Sequence, residues 1–60
     1  MCRIYGRGAG MKRFMALDLS SGAFTKNLMY ASLLTREEAE RALAELRQDN
    51  PDIEFEVREA

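Results

Sequence analysis

The chain has no histidine, no tryptophan, one cysteine (Cys2) and one proline (Pro51) in 60 residues. Without histidine there is no imidazole base for a catalytic triad and no ordinary zinc constellation, and a single cysteine cannot close an internal disulfide. No apolar run reaches the ~20 residues of a membrane-spanning helix, and no apolar segment follows the N-terminal charges as a secretory signal requires. Most enzyme classes, membrane insertion and export fall with these absences. A cytoplasmic location is expected, and no cofactor signature is present.

What is present is 47% hydrophobic and 32% charged residues, the composition of a folded domain. At this length there is room for one domain, which buries only about 60% of its unfolded surface. The core is therefore small, and a partner or self-association is expected to supplement it.

The net charge of -1 hides an asymmetry. Arg3, Arg7, Lys12 and Arg13 stand in the first 13 residues without an acid, whereas from residue 35 onward nine carboxylates face four arginines. Basic residues in a glycine-containing arm could contact phosphate. The first ten residues have no clean period, however, and Met11-Lys12-Arg13 has the form of a bacterial start preceding a strand. Codons for Arg7, Gly8, Ala9 and Gly10 can be purine-rich, as a ribosome-binding site is. Residues 1–11 are accordingly expected to be an N-terminal arm, flexible or a leader read as protein, and residues 12–60 the single domain.

Within that domain, Met15, Leu17 and Leu19 alternate with Phe14, Ala16 and Asp18, which is the period of a strand. Ser20-Ser21-Gly22 supplies a turn, and Phe24 to Leu34 follows as a strand with a break near Leu28–Ala31. Thr35-Arg36-Glu37-Glu38 fits the S/T-x-x-E capping box, with Leu34 and Ala39 placed for a hydrophobic staple. Ala39, Ala42, Leu43 and Leu46 then form one narrow apolar helical stripe, and Glu37–Arg41 and Arg41–Glu45 are spaced as i,i+4 pairs. Asn50-Pro51 ends the helix, and Ile53, Phe55 and Val57 alternate with Glu54, Glu56 and Arg58 as a half-buried strand. The predicted fold is α+β: a β-β-α-β domain with a three-stranded antiparallel sheet, order 2-1-3, covered on one face by one helix. Leu17, Leu19, Leu43, Leu46, Ile53, Phe55 and Val57 form most of its core, while Phe14, Phe24, Met29 and Tyr30 are left for a contact surface.

No chemistry-bearing motif survives inspection. Glu54 and Glu56 share one side of a strand, but a charged row there more commonly prevents edge-to-edge aggregation than performs acid–base work. Gly6-Arg-Gly-Ala-Gly10 lacks the Lys-Ser/Thr and the following helix of a phosphate loop. Cys2 has neither a histidine nor a helix terminus to lower its pKa. Phe24 and Tyr30 near Lys26 could stack on bases, yet only Lys26 and the arm would supply charge, so core or protein contact is favoured.

The stretch from Phe24 to Glu40 resembles small uncharacterised phage and prophage proteins. In these an aromatic-Thr pair, a Leu, an Ala and then Thr/Ser-Arg/Lys-Glu-Glu-Ala-Glu introduce a helix and a final strand. The resemblance covers roughly residues 12–58 and rests on fold-forming positions. It implies no catalytic or ligand residues, and this chain lacks the longer polar hairpin before Phe24. Proteins of this size and acidity include phage inhibitors of host machinery, among them anti-CRISPR proteins, which act by binding. The expected function is a non-enzymatic protein-binding module that inhibits a bacterial nucleic-acid-handling complex. Glu37, Glu40, Glu45, Glu54 and Glu56 would supply charge, and Phe24, Met29 and Tyr30 the apolar anchors. The alternatives are a nucleic-acid-binding regulator using Arg3, Arg7, Lys12, Arg13 and Lys26, and a structural homodimer paired through strand edges.

Overall fold

The computed structural model describes residues 1–60 and contains the elements β1 (Cys2–Arg7), β2 (Met15–Asp18), β3 (Ala23–Thr25), α1 (Arg36–Asp49) and β4 (Glu54–Glu59). The class is α+β with one helix, as expected, but the antiparallel sheet has four strands in the order β3-β2-β1-β4. The additional strand is β1, drawn from the stretch expected to lie outside the fold as an arm. It enters between the strands that were expected to pair directly, so the three-stranded order 2-1-3 is replaced. Both β2 and β4 run antiparallel to β1 and hence parallel to each other. A direct antiparallel pair between them was therefore topologically excluded, and β1 supplies the intervening strand of opposite direction.

β1 alternates Cys2, Ile4 and Gly6, all buried, with half-buried Arg3, Tyr5 and Arg7. Gly6 is required by its neighbours: a Cβ there would lie 2.8 Å from the Phe24 ring and 3.1 Å from the Phe55 ring. Two aromatic rings thus close over a bare backbone position in the middle of the sheet. The core consists of Cys2, Ile4, Leu17, Ala39 and Phe55, with Leu19, Phe24, Leu34, Ala42, Leu43, Leu46, Ile53 and Val57 packed against it. Of the seven core residues expected from patterning, Leu17 and Phe55 are in the buried cluster and the other five are half-buried against it, and β1 adds the most deeply buried large side chain, Ile4, which is 1% exposed.

The helix starts where its capping box requires. The Thr35 hydroxyl accepts from the Glu38 N–H at 3.2 Å, while the Thr35 N–H donates to the Glu38 carboxylate at 2.9 Å. Ala39 is completely buried against the sheet, where a larger side chain would hold the helix away. At the other end the Asn50 N–H and side-chain amide both donate to the Leu46 carbonyl. The two expected i,i+4 pairs of the helix do not close. Instead Arg36 bonds Glu59 at 2.6 Å, tying the first turn of α1 to the end of β4.

The β2–β3 hairpin turns through Leu19–Gly22, with Gly22 at φ 74°, Asp18 accepting from the Ser20 N–H and hydroxyl, and the Gly22 N–H reaching the Asp18 carbonyl. After β3 the chain makes one turn at residues 28–30 and then lies along the sheet. Ser32 donates its N–H to the Leu17 carbonyl and accepts from the Leu19 N–H, and Leu34 exchanges both backbone bonds with Cys2. This segment fills the gap where β1 and β2 diverge, since those strands pair only at Tyr5–Ala16 and Gly6–Met15.

Candidate functional site

Two surfaces remain after the core is assigned. The first is the knuckle between β3 and α1. Thr25 and Asn27 build its entry: the Thr25 hydroxyl accepts from the Asn27 N–H, and the Asn27 side-chain oxygen accepts from the Met29 N–H at 3.0 Å. The Tyr30 N–H then donates to the Asn27 carbonyl and the Ala31 N–H to that of Leu28. Ala31 is buried and Ser32 is tied to β2, so the exit is fixed as well. Held between these anchors, Met29 is 89% exposed, Tyr30 66%, Leu33 49% and Leu28 48%. Four large apolar side chains in six consecutive residues are presented by backbone that is already ordered, which lowers the entropy cost of contact.

The second surface is the sheet face turned away from α1. Alternation from the core residues places Tyr5 and Arg7 of β1, Ala16 and Asp18 of β2, and Glu54, Glu56 and Arg58 of β4 on this side. Arg58 lies over the Tyr5 ring at 4.4 Å and 5.6 Å from that of Phe14, and Arg7 lies over Phe14 at 4.8 Å. Arg7 also bonds Glu54 at 2.6 Å, and Arg58 pairs with Glu56. Beside this lattice, Met11, Lys12, Arg13, Phe14, Met15 and Lys26 line a groove of about 460 Å³.

The residues expected to make contact are thus distributed differently from the expectation. Met29 and Tyr30 are exposed together in the knuckle. Phe24 lies apart from them: it faces Leu17 across the hairpin and is half-buried, packed against the core over Gly6. The five glutamates do not form one acidic surface. Glu37, Glu40 and Glu45 are exposed on the helix, whereas Glu54 and Glu56 lie on the opposite side of the molecule and are engaged by Arg7 and Arg58. In a two-layer fold the outward faces of helix and sheet point in opposite directions, so acidic residues on both cannot converge. Leu28 and Leu33 of the knuckle were not anticipated, and the cations Arg7, Lys12, Arg13 and Lys26 were grouped without Phe14 and Arg58, which the structure brings among them. Their signal was the absence of any period in Leu28-Met29-Tyr30 and the three cations Lys12, Arg13 and Lys26 flanking the first hairpin.

The sheet edges offer little for self-pairing. β3 is three residues long, and the six residues of β4 include Glu54, Glu56, Arg58 and Glu59, charges that discourage edge-to-edge addition. Cys2 is a free thiol buried beneath α1. Two carboxyls are held below their ordinary range by local donors. Glu38 is lowered by the Thr35 backbone N–H and then by its hydroxyl, and Asp18 mainly by the Ser20 hydroxyl. Both belong to turns and caps and serve the fold. No helix is long and apolar enough to cross a membrane. No protein-family model matches the chain, and no similar protein was found among curated proteins or solved structures.

Proposed function

We propose that the chain is a small protein-binding module that docks through the knuckle formed by Leu28, Met29, Tyr30 and Leu33. It belongs, on this reading, to the phage or mobile-element inhibitors of host nucleic-acid-handling complexes, of which anti-CRISPR proteins are one kind. The observation that carries the reading is the exposure of Met29 and Tyr30 at the centre of a loop pinned at both ends. Aromatic residues and methionine are enriched at the desolvated centres of interfaces, whereas isolated exposed side chains of this type are ordinarily dispersed. Glu37, Glu40 and Glu45 add a negative helix face that steers association with a basic partner surface and is weakened by salt.

The test is capture from a bacterial lysate on the immobilised protein, after nuclease treatment, comparing the native chain with Met29→Ser/Tyr30→Ser. The expected result is a defined protein retained by the native chain and weakened at least tenfold by the double substitution, about the loss of one strong anchor. Equal retention by both proteins would remove the knuckle as the docking element. Glu37→Lys/Glu40→Lys/Glu45→Lys is expected to slow association of the same partner without changing the fold.

A further inference from the structure

Six of the nine cations, Arg3, Arg7, Lys12, Arg13, Lys26 and Arg58, belong to the open sheet face and the groove at its end, together with only three of the ten acids, Asp18, Glu54 and Glu56. The protein is therefore positive on one side and negative on the other, although its net charge is only -1. Glu54 and Glu56 are matched by Arg7 and Arg58, and the Asp18 carboxylate is occupied by the turn. Lys12, Arg13 and Lys26 form no ion pair, and no carboxylate lines their groove. Arg3 stands directly opposite Arg58 across the sheet, and its Nε is buried without a hydrogen-bond partner. Arg58 is compensated by Glu56, which leaves Arg3, Lys12, Arg13 and Lys26 as the cations of this side without a counter-charge.

A phosphate alone would need only the cations. What they adjoin is a run of planar groups: the Phe14 ring in the groove wall with Arg7 over it, and the Tyr5 ring with Arg58 over it. Unpaired bases stack on aromatic rings and guanidinium planes, whereas the bases of a duplex are already stacked on one another. We infer that the open face binds single-stranded nucleic acid, with backbone phosphates on Lys12, Arg13 and Lys26 and bases against Phe14–Arg7 and Tyr5–Arg58. The helix side, with its excess of carboxylates, repels the same ligand and confines it to this face.

The test is fluorescence anisotropy of a labelled single-stranded oligonucleotide of about 12 nucleotides, within the site sizes of such binders. Three phosphate contacts predict affinity falling about 20-fold between about 50 and about 200 mM salt. Lys12→Glu/Lys26→Glu, checked for an unchanged circular dichroism spectrum, is expected to flatten that salt dependence by about two phosphate contacts. Phe14→Ala is expected to weaken binding about tenfold while leaving the salt dependence in place. Arg41→Glu, on the helix, is expected to change neither. The inference is overturned if the native protein shows no saturable binding at low salt, or if Arg41→Glu weakens binding as much as the groove substitutions. It is also overturned if a matched duplex binds equally well and Phe14→Ala has no effect, which would indicate charge attraction without base recognition.

Discussion

Ile4 and Tyr5 are neighbours in the same strand, yet they face surfaces built by opposite rules. Under α1, Ile4 meets Cys2, Leu17, Ala39 and Phe55 in a closed apolar cluster where each side chain loses its water. On the open side, Tyr5 lies beneath the Arg58 guanidinium, which is itself bonded to Glu56. Burial of an aliphatic side chain is worth about 1.5–3 kcal/mol. Exposed cation–π contacts and surface ion pairs contribute about 1 kcal/mol or less each. The covered face thus holds the fold, and the contacts of the open face add little to it.

The largest effect that could break this comparison is removal of β1 itself. Deleting residues 1–10 takes away the strand that pairs both β2 and β4 and two members of the five-residue core. The shortened chain is expected to show no cooperative thermal transition by circular dichroism, and a native-like melt would place the stabilising core elsewhere. Next in size, Ile4→Ala is expected to cost about 2–4 kcal/mol in urea denaturation, against about 1 kcal/mol for Tyr5→Ala on the other side. Equal costs would erase the distinction between the faces. Gly6→Ala forces a methyl group against Phe24 and Phe55, and overpacking of this kind costs about 1–3 kcal/mol. Smaller again, Thr35→Ala is expected to remove about 1 kcal/mol by uncapping α1.

The pH dependence sharpens the same picture. Glu38 and Asp18 have folded-state pKa values below their ordinary 4.5 and 3.8. Their contribution is present above those ordinary values and is lost as pH falls through the lower folded values. Stability is therefore expected to be level near neutrality and to decline below about pH 4.5. Glu38→Gln, which removes the titrating carboxylate, should make the acid side of the curve shallower, and an unchanged slope would remove Glu38 from the account.

The helix and the final strand were legible because their signals are local: a capping box in four adjacent residues, an apolar stripe at helical spacing, and Ile53, Phe55 and Val57 in strict alternation. β1 escaped because its inward positions are Cys2, Ile4 and Gly6, and its outward ones include Tyr5. Patterning by hydrophobicity treats Gly6 as an interruption and Tyr5 as a core residue. The glycine is needed because Phe24 and Phe55 cover it, a reason that exists only after distant segments meet. Met29 and Tyr30 could be anticipated as lying outside the core because no apolar face of a strand or helix absorbs them both, and the structure exposes them. Phe24 could not be separated from them without knowing that it opposes Leu17. The acidic residues were misgrouped for a topological reason, since sequence proximity does not reveal that helix and sheet present theirs to opposite sides.

The position of β1 is the claim on which both surfaces depend, because its alternation sends Ile4 to the core and Tyr5 and Arg7 to the open face. Residue-resolved amide hydrogen exchange on the intact chain tests it most directly. The amides of Tyr5, facing β4, and Gly6, facing β2, are expected to exchange as slowly as the most protected amides of the protein, through global unfolding alone. Exchange of residues 2–7 at the rate of an unstructured peptide, with β4 and α1 protected, would contradict the account and return this segment to an arm.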